Sequence, residues 1–279
     1  MSKVDHAAQL RSLPSAGPII MGILNVTPDS FSDGGRSNTV ERAVANAERM
    51  LSDGAHIIDV GGESSRPGAH PVSSLDELAR VLPVIERLAG RCVISIDTAK
   101  PEVADAALQA GASIVNDITA SLEDVAGAHC AGWVAMHMQG SPQTMQNNPS
   151  YADVVEEVLS EFDDYVARAE RAGVSSVWVD PGFGFGKSDD HNLALVRSIA
   201  LASERAPVLI GVSRKRSIGK IHAASDKTAE SGQTAVGDRV EGSVMAAVWS
   251  WARQAHIVRT HDVRVTALAA QFLRKFERK

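Results

Sequence analysis

Four polar residues in this sequence have the types needed to bind the edge of a heterocycle, and each follows a short apolar run: Asp97, Asn116, Asp180 and Lys215. A carboxylate accepts two parallel hydrogen bonds from a ring N–H and an exocyclic amine, while an amide and an ammonium serve the acceptors of the same ring. The set therefore favours a 2-amino-4-oxo-pyrimidine edge over a sugar or an aliphatic acid. The alternative is that some polar residues after these runs cap the next helix, which we expect for Asp117 and Asp262.

A second set of residues has the chemistry of an anion site: Asn25, Ser65, Arg66, Arg259 and His261. Guanidinium groups and an imidazole bind phosphate oxygens, and the glycine pairs 34–35 and 61–62 allow the backbone to approach a ligand closely. Asn25 supplies a neutral oxygen ligand for a Mg²⁺ ion that substrate phosphates and water otherwise hold. Taken singly, Arg66 or His261 is more often an ordinary surface residue, so their joint placement is what favours an anion site.

Two other motifs carry little weight. Gly182-Phe-Gly-Phe-Gly186 lacks the G-x-G-x-x-G spacing of a dinucleotide loop, and Ser213 lacks the G-x-S-x-G context of a hydrolase nucleophile. Cys92 and Cys130 form no C-x-x-C pair, and we expect both to be buried thiols in a reducing compartment. Rossmann-type and hydrolase chemistry are therefore disfavoured.

The elements that must position these residues alternate along the chain without a linker. Short β-rich runs predict eight strands, at 19–24, 56–60, 92–96, 113–115, 133–137, 176–179, 208–212 and 255–258. Amphipathic, Ala-rich runs predict helices at 40–52, 75–88, 101–110, 123–131, 151–172, 191–202, 237–253 and 265–276. Gly54, Gly111 and Gly173 fit helix C-terminal positions, and residues 223–236 fit a surface loop. Eight β/α units predict an α/β fold, a single (β/α)8 TIM barrel with polar residues at the C-terminal ends of its strands.

Length and composition limit the domain organisation and the partners. A chain of 279 residues accommodates one barrel, so we divide it into an N-terminal tail (1–17) and a barrel domain (18–279). A net charge of −6, with six Phe, four Trp and two Tyr, argues against nucleic-acid binding. The longest stretch without a charged residue, 125–152, is rich in amides, and the N-terminus lacks the apolar run of a signal peptide. We therefore expect a cytoplasmic protein that does not bind membranes.

Eight motifs resemble those of the dihydropteroate synthase family and occur in the family's order. They are Met21-Gly-Ile-Leu-Asn-Val-Thr-Pro-Asp-Ser-Phe-Ser-Asp-Gly-Gly35, Asp59-Val-Gly-Gly-Glu-Ser-Ser-Arg-Pro-Gly-Ala69, Ser95-Ile-Asp-Thr98, Val115-Asn-Asp117, Met136-His-Met-Gln-Gly140, Asp180-Pro-Gly-Phe-Gly-Phe-Gly-Lys187, Ser213-Arg-Lys215 and Arg259-Thr-His-Asp-Val263. The match runs from about residue 19 to 273. The resemblance implies a barrel transferase of folate biosynthesis that condenses 6-hydroxymethyl-7,8-dihydropterin pyrophosphate with 4-aminobenzoate, releasing pyrophosphate and forming 7,8-dihydropteroate.

The resemblance also assigns roles to individual residues. The pterin ring would be bound by Asp97, Asn116, Asp180 and Lys215, with Met138, Phe185 and Arg259 packed on its faces. The diphosphate would be bound by Asn25, Arg66, Arg259, Thr260 and His261, and Asn25 would also hold Mg²⁺. The aminobenzoate pocket would be lined by Ser65, Pro67, Lys215 and Arg216. Catalysis would depend on Asp97, Lys215, Arg259 and His261, with Asp97 stabilising the cation that forms at the pterin methylene as diphosphate departs.

Three positions depart from the common family pattern. Ser65 stands where many members have Thr, which preserves the hydroxyl, and Arg216 follows the lysine where several members have Ser. Thr260 replaces a common Val, and nothing in the sequence explains that change. Two other functions stay open from the sequence. A pterin-binding methyltransferase that serves a corrinoid partner would not need the cationic residues Arg66, Arg259 and His261. A catalytically silent pterin-binding paralogue would show degraded loops in the first two motifs.

The family's other properties suggest a partner and an inhibitor. Its members are typically homodimers formed through later helices, and residues 244–251 offer an apolar, Trp-bearing face for such a contact. Burial of that face in the core is the alternative. Sulfonamides, which mimic 4-aminobenzoate, are expected to compete for its pocket.

Overall fold

Eight parallel strands close into one barrel in the computed structural model, which describes residues 5–15, 17–27, 36–64, 70–225 and 234–277. The strands are β1 (Ile19–Asn25), β2 (Ile57–Gly61), β3 (Val93–Asp97), β4 (Ile114–Asp117), β5 (Gly132–Met136), β6 (Ser176–Asp180), β7 (Val208–Ile210) and β8 (Ala255–Thr260). Each strand pairs with the next along the chain, and Ile19 pairs with Ile257 to close the sheet. The predicted (β/α)8 TIM barrel is confirmed, and every predicted strand is found to within two residues at each end.

Helices form the outer layer of the barrel. They are α1 (His6–Arg11), α2 (Arg36–Ser52), α3 (Ser74–Leu88), α4 (Pro101–Ala110), α5 (Glu123–Ala128), α6 (Val154–Ala172), α7 (Asp189–Arg197), α8 (Ile199–Ser203), α9 (Arg216–Ser225), α10 (Val240–Ala252) and α11 (Val263–Glu277), with a 3-10 turn (Val236–Asp238) before α10. The predicted helix 191–202 is divided into α7 and α8, because the chain leaves helical geometry at Ser198.

Polar caps and glycines set the ends of these helices. The Asp153 carboxylate accepts hydrogen bonds from the first backbone N–H groups of α6, and Gly173 ends that helix in a left-handed conformation (φ 78°). Gly54 and Gly111 also have positive φ, as predicted. Of the predicted surface loop 223–236, residues 226–233 lie outside the described residues.

The floor of the barrel is an apolar cluster to which every strand contributes. Its members are Leu10, Ile19, Met21, Ile57, Val93, Ile114, Val134, Trp178, Leu209 and Ile257. Only the barrel interior brings all eight strands together, so these side chains point inward, and their neighbours along each strand pack outward against the helices. Leu10 belongs to α1, so the segment that we predicted as an N-terminal tail (1–17) carries a short helix that seals the floor.

The two cysteines differ in environment. Cys92 is partly buried, and burial raises the pKa of its thiol to about 11. Cys130 is exposed, so the prediction of a buried thiol is wrong for this residue, which follows α5 in a turn with φ 49°. Among the residues that the structure describes, no helix has the length and apolar character needed to cross a membrane.

Candidate active site

The inward-facing positions change from apolar to polar toward the C-terminal ends of the strands. On β3 the floor residue Val93 is followed at alternate positions by Ser95 and Asp97, and on β4 Ile114 is followed by Asn116. Because side chains alternate along a strand, these polar groups share the lumen with the floor residues below them. The same alternation places Asp180 above the floor residue Trp178 on β6. The predicted carboxylates and amide therefore converge on the barrel mouth.

Arg259 crosses this lumen and connects the strands. Its Nε donates to Asp59 Oδ2 at 2.6 Å and its Nη2 to Asp97 Oδ2 at 2.5 Å. Asn116 Nδ2 donates to the same Asp59 oxygen at 3.1 Å. Burial opposes the charge of Arg259, but Asp59 and Asp97 outweigh that effect and raise the pKa of the guanidinium above its usual value. Asp59 is fully buried and was not among the predicted site residues.

The two predicted ring-binding carboxyl groups have shifted protonation equilibria. Burial raises the pKa of Asp97 to about 7, with Arg259 opposing the shift and Asp59 and Glu77 adding to it. Burial also raises the pKa of Asp180, against the effect of Lys215. Asp180 Oδ1 accepts a hydrogen bond from Gly182 N at 2.8 Å, which fixes the carboxyl at the rim of the lumen. Shifts of this kind are common at functional sites.

Lys215 enters the site from the segment after β7. Its Nζ donates to the Phe183 carbonyl and lies 4.5 Å from the centroid of the Phe185 ring. Burial lowers the pKa of Lys215 to about 8, with Asp180 opposing the shift. Gly211 borders both cations of the site, since a Cβ there would be in ordinary contact with Lys215 Nζ at 4.0 Å and with the Arg259 side chain at 3.9 Å. The structure therefore brings together Phe185 and Lys215, two of the residues predicted to bind the ring.

The predicted anion-binding residues of the described chain lie on neighbouring strands. Asn25 ends β1 and is in register with Gly61, whose missing Cβ would stand 3.8 Å from Asn25 Oδ1 and 3.7 Å from Asp97 Oδ2. His261 follows β8, and its Nδ1 lies 3.1 Å from Ser213 Oγ. The His261 backbone N–H also donates to this hydroxyl, at 3.2 Å. Ser213, disfavoured as a nucleophile, thus orients the histidine.

Thr260 requires a correction. Its neighbour Arg259 points into the lumen, so the Thr260 side chain points outward, where its hydroxyl lies 3.4 Å from Thr266 Oγ1 of α11 and 3.5 Å from Ser213 Oγ. The side chain is only 2% exposed. Strand alternation therefore directs this hydroxyl away from the diphosphate position to which it was assigned.

Other predicted residues lie at the edge of the site or beyond the described chain. Arg216 is exposed at the first position of α9, and Met138 is partly buried just after β5. Ser65, Arg66 and Pro67 lie outside the described residues, as does the glycine pair 34–35.

The donor set fits Mg²⁺ that a substrate helps to bind. Within the described ranges no group of three or more His, Cys, Asp or Glu side chains could hold a metal ion alone. Beside Gly61, the amide oxygen of Asn25 and a carboxylate oxygen of Asp97 are nevertheless hard oxygen ligands of the type that Mg²⁺ prefers. A metal at this position would take most of its ligands from phosphates and water.

Asp59 and Ser213 are the site residues that sequence reasoning missed. For Asp59 the signal was available, because it lies two positions before Gly61 and two after the floor residue Ile57, and so must face the lumen. For Ser213 only the tertiary contact with His261 reveals the role.

Fold and site together define a barrel enzyme that binds a heterocycle and an anion at the C-terminal ends of its strands. The sequence profile of the pterin binding enzyme family matches residues 21–261. Dihydropteroate synthase of Escherichia coli (strain K12) is 45% identical over 272 residues, covering 94% of this chain and 93% of the relative. The chain therefore belongs to the pterin-binding enzymes and, within them, to the dihydropteroate synthase family.

Solved structures agree with this assignment. Dihydropteroate synthase of Yersinia pestis in a sulfonamide drug complex has a TM-score of 0.86 at 39% identity, covering 96% of this chain and 97% of that one. The enzyme of Xanthomonas albilineans with 4-aminobenzoic acid has a TM-score of 0.84 at 42% identity, covering 94% of each chain. The same enzyme with 7,8-dihydropteroate has a TM-score of 0.83 at 39% identity, covering 96% of each.

Proposed function

We propose that this chain condenses 6-hydroxymethyl-7,8-dihydropterin pyrophosphate with 4-aminobenzoate to give 7,8-dihydropteroate and pyrophosphate. The observation that carries the proposal is the position of Arg259 between the ring-binding set and the anion-binding set. Its guanidinium contacts Asp97 in the lumen, and His261, two positions further along the chain, lies at the mouth just after β8. A substrate that joins a heterocycle to a diphosphate through one methylene matches this arrangement.

In this proposal the pterin ring lies in the lumen. Asp180 accepts hydrogen bonds from the 2-amino group and the adjacent ring N–H, and Asn116 and Lys215 serve the remaining polar atoms of the ring. Phe185 and Met138 pack against its faces. Lys215 already lies close to the Phe185 ring, so the cation and the aromatic wall are positioned before the substrate arrives.

The diphosphate lies at the mouth, beside Arg259 and His261, and we assign Arg66 to the same anion. Asn25 would hold Mg²⁺ together with phosphate oxygens and water, and the ion would neutralise the charge that develops on the leaving group. Arg259 also neutralises charge on the leaving group, because its guanidinium stays protonated at every relevant pH. We assign Ser65, Pro67 and Arg216 to the binding of 4-aminobenzoate.

The bond changes then follow from the charges. The C–O bond to the diphosphate breaks, its electron pair leaves with pyrophosphate, and positive charge develops on the pterin methylene. Asp97 stabilises this charge when Arg259 turns toward the diphosphate and leaves the carboxylate exposed to the cation. The neutral amine of 4-aminobenzoate then forms the C–N bond and releases one proton to pyrophosphate or solvent, so no strong base is required.

A coupled assay of pyrophosphate release tests the proposal. The chain is incubated with the pterin diphosphate, 4-aminobenzoate and Mg²⁺, and product is identified by mass. We expect stoichiometric 7,8-dihydropteroate and pyrophosphate, and competition by a sulfonamide against 4-aminobenzoate. Absence of turnover with both substrates and Mg²⁺ present contradicts the proposal.

We further infer that the chain is a homodimer through α10 and α11. The predicted apolar face 244–251 divides in the structure, since Trp251 packs in the core whereas Met245 and Trp249 are 73% and 46% exposed. On the adjacent helix α11, Phe272 and Phe276 are 65% and 82% exposed. Exposed apolar side chains on two helices that pack together are typical of a protein interface.

We also place the enzyme in the cytoplasm. The support is the state of its two cysteines, which are both free thiols. A reducing compartment keeps such thiols unpaired.

A further inference from the structure

The segment between β6 and α7 carries a buried lysine that the proposed reaction does not use. Lys187 is 3% exposed, and its Nζ lies 2.9 Å from His137 Nδ1, 3.2 Å from the His137 carbonyl oxygen and 2.9 Å from the Phe185 carbonyl oxygen. An ammonium group has three N–H donors, and these three acceptors match them one for one. Lys187 therefore joins the end of β5 to the segment that carries Phe185.

Bonding to all three acceptors requires the ammonium form of Lys187 and a neutral imidazole at His137. Burial lowers the pKa of His137 to about 3, with Lys187 adding to the effect, so the imidazole is neutral and can accept at Nδ1. Burial lowers the pKa of Lys187 to about 7, with Asp180 opposing the shift and Lys215 adding to it. The ring of Tyr151 also lies near the ammonium group, with its centroid 6.0 Å from Lys187 Nζ.

The backbone of this segment is in close contact with the chain that follows β5. A Cβ at Gly182 would stand 1.8 Å from the His137 carbonyl oxygen, and one at Gly186 would stand 2.4 Å from the Gln139 carbonyl oxygen. The segment thus lies directly against residues 137–139. Met138 is the residue between these two contacts, and Phe185 is the residue whose carbonyl Lys187 binds.

We propose that Lys187 is a positioning residue for pterin recognition, which fixes the spacing between Met138 and Phe185 by binding the backbone beside each of them. The inference rests on the proposed function, because it takes those two side chains as the walls of the ring pocket. Lys187 contacts no reacting atom. Its effect is on how tightly the ring is held, and not on how the diphosphate is bound.

Replacement of Lys187 by Met tests the inference, because it keeps the length and apolar stem of the side chain and removes the donors. The full-length protein is titrated with 6-hydroxymethylpterin, which lacks the diphosphate, and separately with inorganic pyrophosphate and Mg²⁺. We expect pterin affinity to fall at least about tenfold, the change that corresponds to one lost buried hydrogen bond. Pyrophosphate affinity should stay within about twofold of the parent protein.

Two further variants separate positioning from general stability. Lys187→Gln keeps two N–H donors and should restore part of the lost pterin affinity, and it serves as the test if Lys187→Met fails to fold. Lys220→Met is the matched control, because Lys220 forms an ion pair with Asp189 at a site about two-fifths exposed. The control should bind both ligands as the parent protein does.

The outcomes are distinct. Unchanged pterin affinity in Lys187→Met, equal weakening of pterin and pyrophosphate, or no recovery in Lys187→Gln each overturns the positioning role. Failure of the unmodified chain to bind 6-hydroxymethylpterin overturns the proposed function together with this inference.

Discussion

At the scale of single residues, the site is organised by one arginine shared between two carboxylates. Asp59 lies 200 positions from Arg259 in the sequence, yet it accepts the hydrogen bond from Nε that orients the guanidinium. Asn116 donates to the same Asp59 oxygen, so a predicted ring-binding residue is fixed by the same anchor. One guanidinium therefore holds both carboxylates, and an incoming anion would compete with them for its N–H groups.

Asp97→Asn should leave the fold intact and lower kcat on the order of 100-fold, as is typical when one group that stabilises transition-state charge is removed. The amide keeps the volume of the side chain but provides no negative charge for the cation at the methylene. Steady-state kinetics with saturating 4-aminobenzoate measure the change, and circular dichroism checks the fold. An unchanged kcat would remove Asp97 from the mechanism.

Binding of the pterin ring should also depend on pH through Asp97. Burial raises the pKa of this carboxyl to about 7, and the ionised form is the better acceptor for ring N–H groups. Affinity for 6-hydroxymethylpterin should therefore fall as the pH is lowered through 7, approaching about tenfold per pH unit below it. Calorimetric titrations between about pH 8 and about pH 5 measure this dependence.

The Asp97→Asn variant is the control for that pH profile. It cannot titrate at this position, so its affinity should be low and should not show the decline that depends on Asp97. If the variant and the parent protein lose affinity in parallel, another group is responsible.

At the scale of elements, three glycines set the backbone conformation of the chain between β6 and α7. Gly182, Gly184 and Gly186 have φ values of 65°, 82° and 60°, a region that glycine occupies without strain. Gln146 Nε2 donates to the Gly184 carbonyl oxygen at 2.8 Å, and Tyr151 donates to the Gly186 carbonyl oxygen at 2.8 Å. This segment is therefore a fixed wall of the pocket.

Gly182→Ala should destabilise the protein by more than about 3 kcal/mol, because a methyl group adds a backbone collision to the strain of positive φ. The added carbon would stand 1.8 Å from the His137 carbonyl oxygen, so the wall must move. Gly90→Ala is the matched control, since Gly90 has φ 74° and no atom within 4 Å of the added carbon. We expect Gly90→Ala to lower the free energy of unfolding by about 1 kcal/mol.

Urea unfolding of both variants measures this difference. Equal losses in the two variants would show that strain at positive φ, and not contact with the His137 carbonyl oxygen, accounts for the glycine at position 182.

Particular residues show how far the sequence could predict these elements. Asp97, Asn116 and Asp180 were placed correctly because each ends a β-rich run, and parallel strands all end at one face. The ion pair of Arg259 with Asp59 could not be predicted, because it exists only once the barrel closes and brings strands from opposite ends of the chain together. Helix α1 was missed because six residues are too few to show a periodic apolar pattern.

At the scale of the whole molecule, the barrel has a sealed end and an open end. Ten apolar side chains fill the floor, including Leu10 of α1, and ionisable groups occupy the mouth. Both substrates must therefore approach from the same end of the barrel. The overall charge of −6 does not attract an anionic substrate, so local cations must do so.

Association of two chains through α10 and α11 predicts a defined mutational effect. Phe272→Glu should convert a dimer to a monomer, because a buried carboxylate without a partner is costly at an apolar interface. Analytical ultracentrifugation measures the mass over a range of concentrations. Leu75→Glu is the control, because Leu75 is 80% exposed on α3, outside the proposed interface.

A mass unaffected by Phe272→Glu would show that this surface is not the contact. A monomeric parent protein would show that the exposed apolar residues of α10 and α11 have another role.

The Arg259–Asp97 ion pair gives the guanidinium a ligand within the protein. In the proposed reaction diphosphate takes the place of this carboxylate, so the gain in Coulomb energy on binding is offset by the ion pair that is lost. When pyrophosphate has formed, Asp97 again competes with it for the same nitrogens. The carboxylate is thus an internal competitor of the product, and its return to Arg259 favours the release of pyrophosphate after each turnover.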